Sequence, residues 1–321
     1  MVKDESAQLA TLYKDLKKEV IGQDHALRII ADDILVARMG LKDPEKPNSV
    51  AMLVGPSASG KTQTAIALAN ALYQGNLITV RMSEFTEKGS VSGLKGTTPG
   101  YIGYGDPTVL DKIADNPHGV LLLDEFDKAA PEVRQFFFQI LDKGEMEDGH
   151  GRKIDFKNMM ILITANTGSD TIKEACAGAT RPTPQELEDK IRPQLVAAFN
   201  ATPGGGEALL GRMKVLPYYP VTTDISKEII RKELKSFETL VKQQHTQVDR
   251  VKWDLDTEAE LVARYARASG AGVRGIQHAI TEIRAAVAKE LIKIGSTTKR
   301  VTFSVHFSNR TKSFSASTFL K

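Results

Sequence analysis

The sequence predicts an α/β fold with a parallel central sheet, followed by a smaller C-terminal α-helical domain that ends in strands. Three observations support this prediction. An apolar run at residues 49–54 leads into the glycine-rich segment GPSASGKT at residues 55–62, and an alanine-rich stretch follows it. A second apolar run ends in the carboxylates of Asp124 and Glu125. After residue 219, apolar residues recur mainly at helical spacing.

Length and composition are those of a globular protein with more than one domain. The chain has 321 residues, of which 41% are hydrophobic and 26% are charged. Its 43 basic and 40 acidic residues give a formal net charge of +3. A solvated surface of mixed charge accounts for this balance. Because no basic run stands out, we expect no nucleic-acid partner.

The cysteine count and the N-terminal residues bear on the compartment. A single cysteine, Cys176, excludes a disulfide within the chain and indicates a reducing compartment. The first twenty residues lack the apolar centre of a signal peptide, and no apolar run approaches membrane-spanning length. The sequence therefore predicts a soluble, cytoplasmic protein without a membrane partner.

The large domain is predicted to span residues 1–219. Two helices precede its first strand, one over residues 6–18 and one that ends near Met39. After the glycine-rich segment we predict a helix, a strand at 76–82, a glycine-rich loop at 88–107, a helix at 107–115 and the strand that ends at Asp124. A helix from Pro131, a hairpin turn at 148–151 and a buried strand at 159–164 follow. The domain is predicted to end with a loop that contains a short helix at 168–184, a linker at 201–206 and a strand at 214–219.

The small domain is predicted to span residues 220–321. Helical periodicity covers residues 224–246, 256–269 and 274–292. Apolar and polar residues alternate over 301–307, which predicts a strand.

The segment at residues 55–62 fits G-x-x-x-x-G-K-[ST], the phosphate-binding loop. Glycines let the backbone turn so that its N–H groups converge on phosphate oxygens, and the following helix adds its positive dipole end. Lys61 would reach the β- and γ-phosphates, and the Thr62 hydroxyl would ligate Mg²⁺. The predicted binding residues are Gly55, Pro56, Ser57, Ala58, Ser59, Gly60, Lys61 and Thr62. A chance match in a Gly/Ser-rich turn is the alternative, which the strand–loop–helix context opposes.

The two carboxylates follow a run typical of a strand that is buried on both faces of a parallel sheet. They lie at its C-terminal end, where such sheets place their ligand sites. Asp124 would hold Mg²⁺ directly or through water, and Glu125 would polarise the attacking water as general base. A solvated acidic turn is the alternative, and the nearby phosphate-binding loop favours the catalytic interpretation.

Together these segments resemble the AAA+ ATPases, and more narrowly the second ATPase module of the Clp-type unfoldases. Within that group the chain is most similar to ClpV, the ATPase of bacterial type VI secretion. The resemblance covers nearly the whole chain. The segments that carry it are VIGQD at 20–24, MSEF at 82–85, SGLKG at 92–96, PGYIGYG at 99–105, MEDG at 146–149, ALLGRM at 208–213 and PYYP at 217–220.

The resemblance implies roles at the bound Mg-ATP. Asn166 matches sensor 1, a polar side chain that helps to place the water against the γ-phosphate. Val20 and Ile21 match residues that pack on the adenine. Arg274, in Gly-Val-Arg, matches sensor 2, which reaches the γ-phosphate from the small domain. For Asn166 the alternative is a strand-end residue that caps a turn, and for Arg274 it is a surface salt bridge.

Two further arginines are implied to act where subunits meet. Arg212 matches the arginine finger, which is donated to the nucleotide of the neighbouring subunit and accelerates hydrolysis by stabilising charge. Arg192, in Ile-Arg-Pro, matches a second arginine near the same subunit interface, which would contact the nucleotide bound there. A surface salt bridge of little energetic value is the alternative for each.

Tyr101, with Ile102 beside it, matches the aromatic residue of an axial pore loop. A tyrosine between glycines can swing and grip an extended polypeptide by stacking and apolar contact. The alternative is an ordinary buried loop tyrosine. The hairpin at residues 149–155 would lie near the same pore.

The resemblance also implies partners. We expect self-association into a ring, a hexamer by family precedent, that threads polypeptide. In ClpV-like proteins this polypeptide comes from the contracted secretion sheath. The chain has no Ile/Leu-Gly-Phe/Leu tripeptide after Asn166, with which Clp unfoldases dock on the ClpP peptidase, so no such partner is expected. An N-terminal substrate-binding domain and a first ATPase module are missing, so we expect a fragment or a shortened relative.

Some departures from the family pattern leave alternatives open. Gln63 stands where Glu is usual, Asp106-Pro107 replaces an acidic and glycine-rich continuation of the pore loop, and residues 203–206 form an insertion before the arginine finger. A ClpB-like disaggregase module is one alternative function. A structural ring that binds ATP without hydrolysing it is another.

Overall fold

The protein is described by a computed structural model that covers residues 2–97, 107–202, 204–267, 273–295 and 299–320. The chain separates into two compact units. The first comprises residues 1–56 and 60–220, and the second comprises residues 57–59 and 221–321.

The first unit alternates strands and helices along the chain. Its helices are α1 (Val2–Glu19), α2 (Asp24–Arg38), α3 (Lys61–Leu72), α4 (Val91–Lys95), α5 (Val109–Asp115), α6 (Pro131–Lys143), α7 (Ser169–Cys176), α8 (Pro184–Phe199) and α9 (Gly205–Leu210). Its strands are β1 (Ser49–Val54), β2 (Leu77–Arg81), β3 (Gly119–Asp124), β4 (Glu145–Glu147), β5 (Lys153–Asp155), β6 (Met159–Ala165) and β7 (Lys214–Pro217).

Five of these strands form one parallel sheet in the order β2-β3-β6-β1-β7, and β4 and β5 form a separate antiparallel hairpin. Side chains along β1 alternate between two cores. Met52 and Val54 join the core with α5, α6 and α8, whereas Ala51 and Leu53 join the core with α1, α2 and α3. The sheet is therefore buried on both faces, as its apolar strands predict.

Local signals in the sequence set several helix boundaries. Thr108 and Thr183 each open a capping box, with Asp111 and Glu186 respectively at the third helical position. Helix α6 begins at Pro131 and stops at Gly144, which adopts a left-handed conformation (φ 58°).

The second unit contains α10 (Thr223–Gln244), α11 (Leu255–Arg267), α12 (Val273–Ile294), β8 (Val248–Trp253), β9 (Val301–Ser308) and β10 (Ser313–Leu320). The strands form a sheet in the order β10-β9-β8, which packs with the helices around one apolar core. The predicted fold, a parallel sheet followed by a helical region that ends in strands, is confirmed.

Strand β8 was not among the predicted elements. Only Val248 and Val251 of this strand are buried, and the register shifts between Val248 and Arg250. This irregularity breaks the alternation by which a half-buried strand is recognised.

Two predicted loops contain packed structure. The glycine-rich loop at 88–107 includes α4, whose Leu94 is fully buried; residues 98–106 lie outside the described part. The predicted linker at 201–206 is also wrong, because Gly205 begins α9 and Gly206 is buried against α8. A Cβ atom on Gly206 would lie 2.3 Å from the backbone oxygen of Val196.

The contact at Gly206 predicts that Gly206→Ala destabilises the first unit. Alanine in a helix is ordinarily favoured over glycine by about 1 kcal/mol, but here the methyl group meets backbone that cannot rotate away. We expect a loss of about 1–3 kcal/mol in the free energy of unfolding, measured from urea transitions. Gly178→Ala is the control, because its Cβ would meet nothing within 4 Å. Equal stability of the two variants would contradict the packing argument.

Candidate functional site

The functional residues predicted from the sequence converge at one edge of the parallel sheet. Val54 is paired with Ala165, and Leu123 with Ile163, so β1, β6 and β3 end nearly level. The phosphate-binding loop follows β1, Asp124 and Glu125 end β3, and Asn166 follows β6. Segments that lie far apart in the sequence therefore meet where parallel sheets carry their ligand sites.

The phosphate-binding loop has the curled backbone that its sequence predicts. Ala58 and Gly60 both have positive φ (60° and 103°), and α3 begins at the next residue, Lys61. Two such residues in one loop turn successive N–H groups toward a common centre. The loop and the first turn of α3 thus form a cradle suited to an anion.

Close packing holds this cradle on two sides. A Cβ on Gly55 would lie 2.6 Å from the carbonyl oxygen of Tyr218, and a Cβ on Gly60 would lie 3.1 Å from Val20 Cγ1. Tyr218 is fully buried, and its hydroxyl shares a 2.8 Å hydrogen bond with Thr64 of α3. The segment of Val20 and the end of β7 therefore fix the position of the loop.

Lys61 joins the loop to the end of β6. Its ammonium donates to the carbonyl oxygens of Gly55 and Pro56 and, at 3.0 Å, to Asn166 Oδ1. Only 8% of the residue is exposed. Burial lowers the pKa of Lys61 from 10.5 to about 8, although the charges of Asp124, Asp127 and Glu125 act in the opposite direction.

A hydroxyl from β6 contacts both carboxylate residues of β3. Thr164 Oγ1 donates to Asp124 Oδ1 at 2.6 Å and accepts from the backbone N–H of Glu125 at 2.9 Å. Glu125 itself is in the left-handed region (φ 57°, ψ 47°), and its carboxylate lies 2.9 Å from Lys128 Nζ. The strand direction is thus broken at the residue predicted to be the general base.

Asp127 lies in the turn after β3, and its carboxylate contacts the turn after β6. Its Oδ2 accepts hydrogen bonds from the N–H groups of Asn166 and Thr167 and from the Thr167 hydroxyl. The backbone of Asn166 is therefore held while its side chain contacts Lys61.

The residues at this edge fit a magnesium ion that is bound together with a nucleotide. Among the described residues, no group of three or more His, Cys, Asp or Glu side chains could hold a metal by itself. Mg²⁺ with a nucleotide takes one or two protein oxygens and fills its other positions with phosphate and water. The Thr62 hydroxyl at the start of α3 and the Asp124 carboxylate would supply those oxygens.

Comparison with known proteins identifies the family. The profile of the AAA domain (Cdc48 subfamily) matches residues 46–214, which include the phosphate-binding loop, both carboxylates, Asn166 and Arg212. The chain belongs to this family. The expected resemblance to Clp-type AAA+ ATPases is likewise confirmed.

Among its relatives, AAA+ ATPase ClpV1 of Pseudomonas aeruginosa is 47% identical and chaperone protein ClpB of Yersinia enterocolitica is 43% identical, each over 249 residues. Each alignment covers 76% of this chain and 27% of the relative, so the chain spans about a quarter of their length. A closed-state cryo-EM reconstruction of Hsp104 with ATPγS and FITC casein matches with a TM-score of 0.78 at 26% identity. That match covers 98% of this chain and 52% of the Hsp104 chain.

Several of the predicted AAA+ residues lie away from the cradle. Arg212 donates to Asp142 Oδ1 at 2.6 Å and to the carbonyl oxygen of Ala208, and it lies over the ring of Phe138. Arg192 is paired with Glu207 at 2.9 Å and with Glu188. The structure brings neither arginine to the phosphate-binding loop of its own chain.

Other predictions concern residues whose side chains are not described. Arg274 is the second residue of α12, and its side chain lies outside the described part of the structure. Tyr101 and Ile102 lie outside the described residues. Their roles remain predictions.

The segment predicted to contact the adenine is anchored by residues to which the sequence assigned no role. Gln23 is fully buried, and its side-chain amide forms two hydrogen bonds with the backbone of Tyr219, at 2.9 and 3.0 Å. Arg181 stacks over the Tyr219 ring, 3.5 Å from its centroid, and donates to the Gly22 carbonyl oxygen. Val20 is buried and Ile21 is partly exposed beside this anchor.

Thr164 and Asp127 were also missed. A signal for Thr164 exists in the sequence: it is a hydroxyl within the otherwise apolar run of β6, and a buried polar group needs a partner. For Gln23 and Asp127 no local signal identifies the partner.

No described helix is both long enough and apolar enough to cross a membrane.

The lowered pKa of Lys61 predicts that nucleotide binding takes up a proton above pH 8. Phosphate groups favour the charged ammonium, so binding raises its pKa, and affinity should fall as the pH rises through about 8. At about pH 8.5 we expect roughly 0.7 proton bound per nucleotide, and close to none at about pH 6.5. Isothermal titration in buffers of different ionisation enthalpy measures this number.

Lys61→Arg is the control, because a guanidinium stays charged over this pH range. Its proton uptake at the higher pH should be close to zero. The same uptake in the variant and the wild type would assign the proton to another group.

Proposed function

We propose that this chain is a ring-forming ATP hydrolase that pulls polypeptide through an axial pore. The observation that carries this proposal is the arrangement of charges. Lys61, two carboxylates and Asn166 meet at one edge of the sheet, whereas Arg212 lies toward the other edge. A complete catalytic set then requires two copies of the chain.

The residues at the cradle suggest the hydrolytic step. The cradle and Lys61 bind the phosphates and orient the terminal one, while Asn166 and Glu125 place a water against it, with Glu125 accepting its proton. Thr62 and Asp124 would hold Mg²⁺, which supplies positive charge against the phosphate oxygens. Val20 and Ile21 would pack on the adenine, and Arg274 would reach the γ-phosphate from the small domain.

The position of Arg212 supports a role toward a neighbour. Strand β7 is parallel to β1, with Lys214 paired to Ala51 and Pro217 paired to Val54. Arg212 precedes β7, but the phosphate-binding loop follows the opposite end of β1. At about 3.3 Å per residue, roughly 15 Å of sheet separates them, which is more than an arginine side chain spans. Arg212 therefore serves the nucleotide of an adjacent subunit.

This arrangement predicts complementation between two inactive variants. Glu125→Gln removes the general base, which contributes about 10²–10⁴-fold, and Arg212→Ala removes the finger. In a mixed ring, an Arg212→Ala subunit keeps its own Glu125 and receives Arg212 from a Glu125→Gln neighbour. With random assembly we expect recovery of roughly a quarter of wild-type ATP hydrolysis per subunit. Steady-state phosphate release as a function of mixing ratio measures it.

Arg231→Ala is the matched control, because Arg231 forms an exposed ion pair with Glu258 in the second unit. Alone it should keep wild-type activity. No recovery in the mixture of the two inactive variants, at concentrations where the wild type hydrolyses ATP, would refute donation of Arg212 between subunits.

A polypeptide is the proposed substrate. The Hsp104 reconstruction that matches this chain contains FITC casein, a protein ligand. Tyr101 and Ile102 would line the pore, and we propose a hexameric ring in the cytoplasm without a ClpP-type peptidase. The similarity to ClpV1 favours the contracted type VI secretion sheath as the source of the polypeptide.

Disaggregation of misfolded protein is the second candidate. It is favoured by the 43% identity to ClpB over the same length of chain. Both functions use the same hydrolytic site and differ in the polypeptide that enters the pore.

We predict that Tyr101→Ala uncouples hydrolysis from threading. The variant should hydrolyse ATP within about threefold of wild type, because the resemblance gives Tyr101 a role in the pore loop and none in hydrolysis. It should lose tenfold or more of its threading rate, since the aromatic grip is gone. Tyr101→Phe keeps the ring and should thread normally. The assays follow loss of contracted sheath tubules and recovery of heat-aggregated protein, which also separates the two candidate functions. Unchanged threading by the alanine variant would remove Tyr101 from the pore.

A further inference from the structure

We propose that Thr164 is a positioning residue for ATP hydrolysis, which holds Glu125 in the orientation that a general base requires. This inference rests on the proposed hydrolytic function of the cradle. Thr164 lies on β6, whereas both residues that it contacts belong to the end of β3.

The hydroxyl of Thr164 both donates and accepts a hydrogen bond. Its single proton is directed to Asp124 Oδ1 at 2.6 Å, so a lone pair faces the N–H of Glu125 at 2.9 Å. The residue is 1% exposed, so water does not compete for either bond. One bond holds the peptide N–H of Glu125, and the other holds the side-chain carboxylate of Asp124.

The peptide between Asp124 and Glu125 lies at the end of the paired part of β3, where Asp124 is still paired with Arg81 of β2. The pairing of β3 with β6 ends at Leu123 and Ile163. Glu125 then adopts a left-handed conformation, which is costly for a residue with a side chain. The hydroxyl of Thr164 gives the Glu125 N–H a partner in that conformation. Without it, the N–H would have to find another acceptor, and the peptide would relax toward extended geometry and turn the carboxylate away.

Packing alone does not call for a hydroxyl at this position. The other residues of β6 are apolar and fully buried, and valine has the same branched shape as threonine. A hydroxyl in such a strand is costly unless it is paired. Its two partners are the residues predicted to hold Mg²⁺ and to activate water.

A second connection fixes the other side of the site. Asp127, in the turn after β3, accepts at Oδ2 two hydrogen bonds from the backbone N–H groups of Asn166 and Thr167, which follow β6, and a third from the Thr167 hydroxyl. Thr164 therefore reaches from β6 to the end of β3, and Asp127 reaches from the turn after β3 to the turn after β6. Glu125 and Asn166, which would face the same water, are held relative to each other by these two connections.

The test compares Thr164→Val, which keeps the shape and removes both hydrogen bonds, with Thr164→Ser, which keeps the hydroxyl. Loss of such an orienting contact lowers activity by about 10–100-fold. We expect Thr164→Val to lower kcat by about that factor while affinity for the nucleotide without Mg²⁺ stays within about twofold, and Thr164→Ser to keep kcat within about threefold of wild type.

Thr202→Val is the matched control. Thr202 is also 1% exposed, but its hydroxyl has no hydrogen-bond partner among the described residues. This variant should keep wild-type kcat. If Thr164→Val does not fold, as judged by its thermal transition, Thr164→Cys against Thr164→Ser repeats the comparison, because a thiol is a much weaker donor of similar size.

A double variant tests whether Thr164 acts through Glu125. On a Glu125→Gln background, single-turnover hydrolysis should fall by no more than about twofold when Thr164→Val is added, since the group being positioned is already gone. The inference would be overturned if the losses of the two single variants multiplied in the double variant. It would also be overturned if Thr164→Val and Thr202→Val had equal kcat. Absence of hydrolysis by the wild-type chain under all conditions would instead refute the proposed function.

Discussion

The site depends on one constraint, the parallel register of β1, β6 and β3. Val54 lies beside Ala165, and Leu123 beside Ile163, so three strands end at nearly the same level. If one of them ran in the opposite direction, its functional residues would emerge at the far edge of the sheet. A parallel sheet of this kind needs helices on both faces, and the two apolar cores of the first unit supply that cover. Burial of the sheet and assembly of the cradle are therefore consequences of the same topology.

Within this frame, the site combines a buried cation and a buried hydroxyl, those of Lys61 and Thr164, with carboxylates that are only partly buried. One buried ammonium, that of Lys61, lies near the carboxylates of Asp124, Glu125 and Asp127. Low polarity strengthens each of these interactions, and it also makes an unpaired polar group costly. The hydrogen bonds of Thr164 and Asp127 pair these polar groups and so offset that cost. Because the bonds join the ends of different strands, they also fix the relative positions of the charges.

The parts of the structure that could be predicted from the sequence are those encoded by neighbouring residues. The phosphate-binding loop and the apolar strands of the parallel sheet depend on contacts within a few positions, and their spacing identified them, whereas helix α8 was not predicted despite its capping box. The buried face of Gly206 depends on Val196, and the buried amide of Gln23 depends on Tyr219, almost 200 residues away. Such partners are set by tertiary packing, so composition suggested a linker at Gly206, and no role was assigned to Gln23. The same reason hid the pairing of Thr164 with Asp124.

Strand β7 connects two features that belong to different nucleotides. Its carboxyl end continues into Tyr218, which supports Gly55 under the phosphate-binding loop and donates its N–H to the Val54 carbonyl oxygen. Its amino end follows Arg212, which serves the adjacent subunit in the proposed ring. A strand in a hydrogen-bonded sheet neither stretches nor bends easily. In the proposed ring, a shift in the floor of one cradle would therefore be passed along a single short piece of backbone to the cation that the neighbour uses, and each subunit would report the state of its own nucleotide to the next.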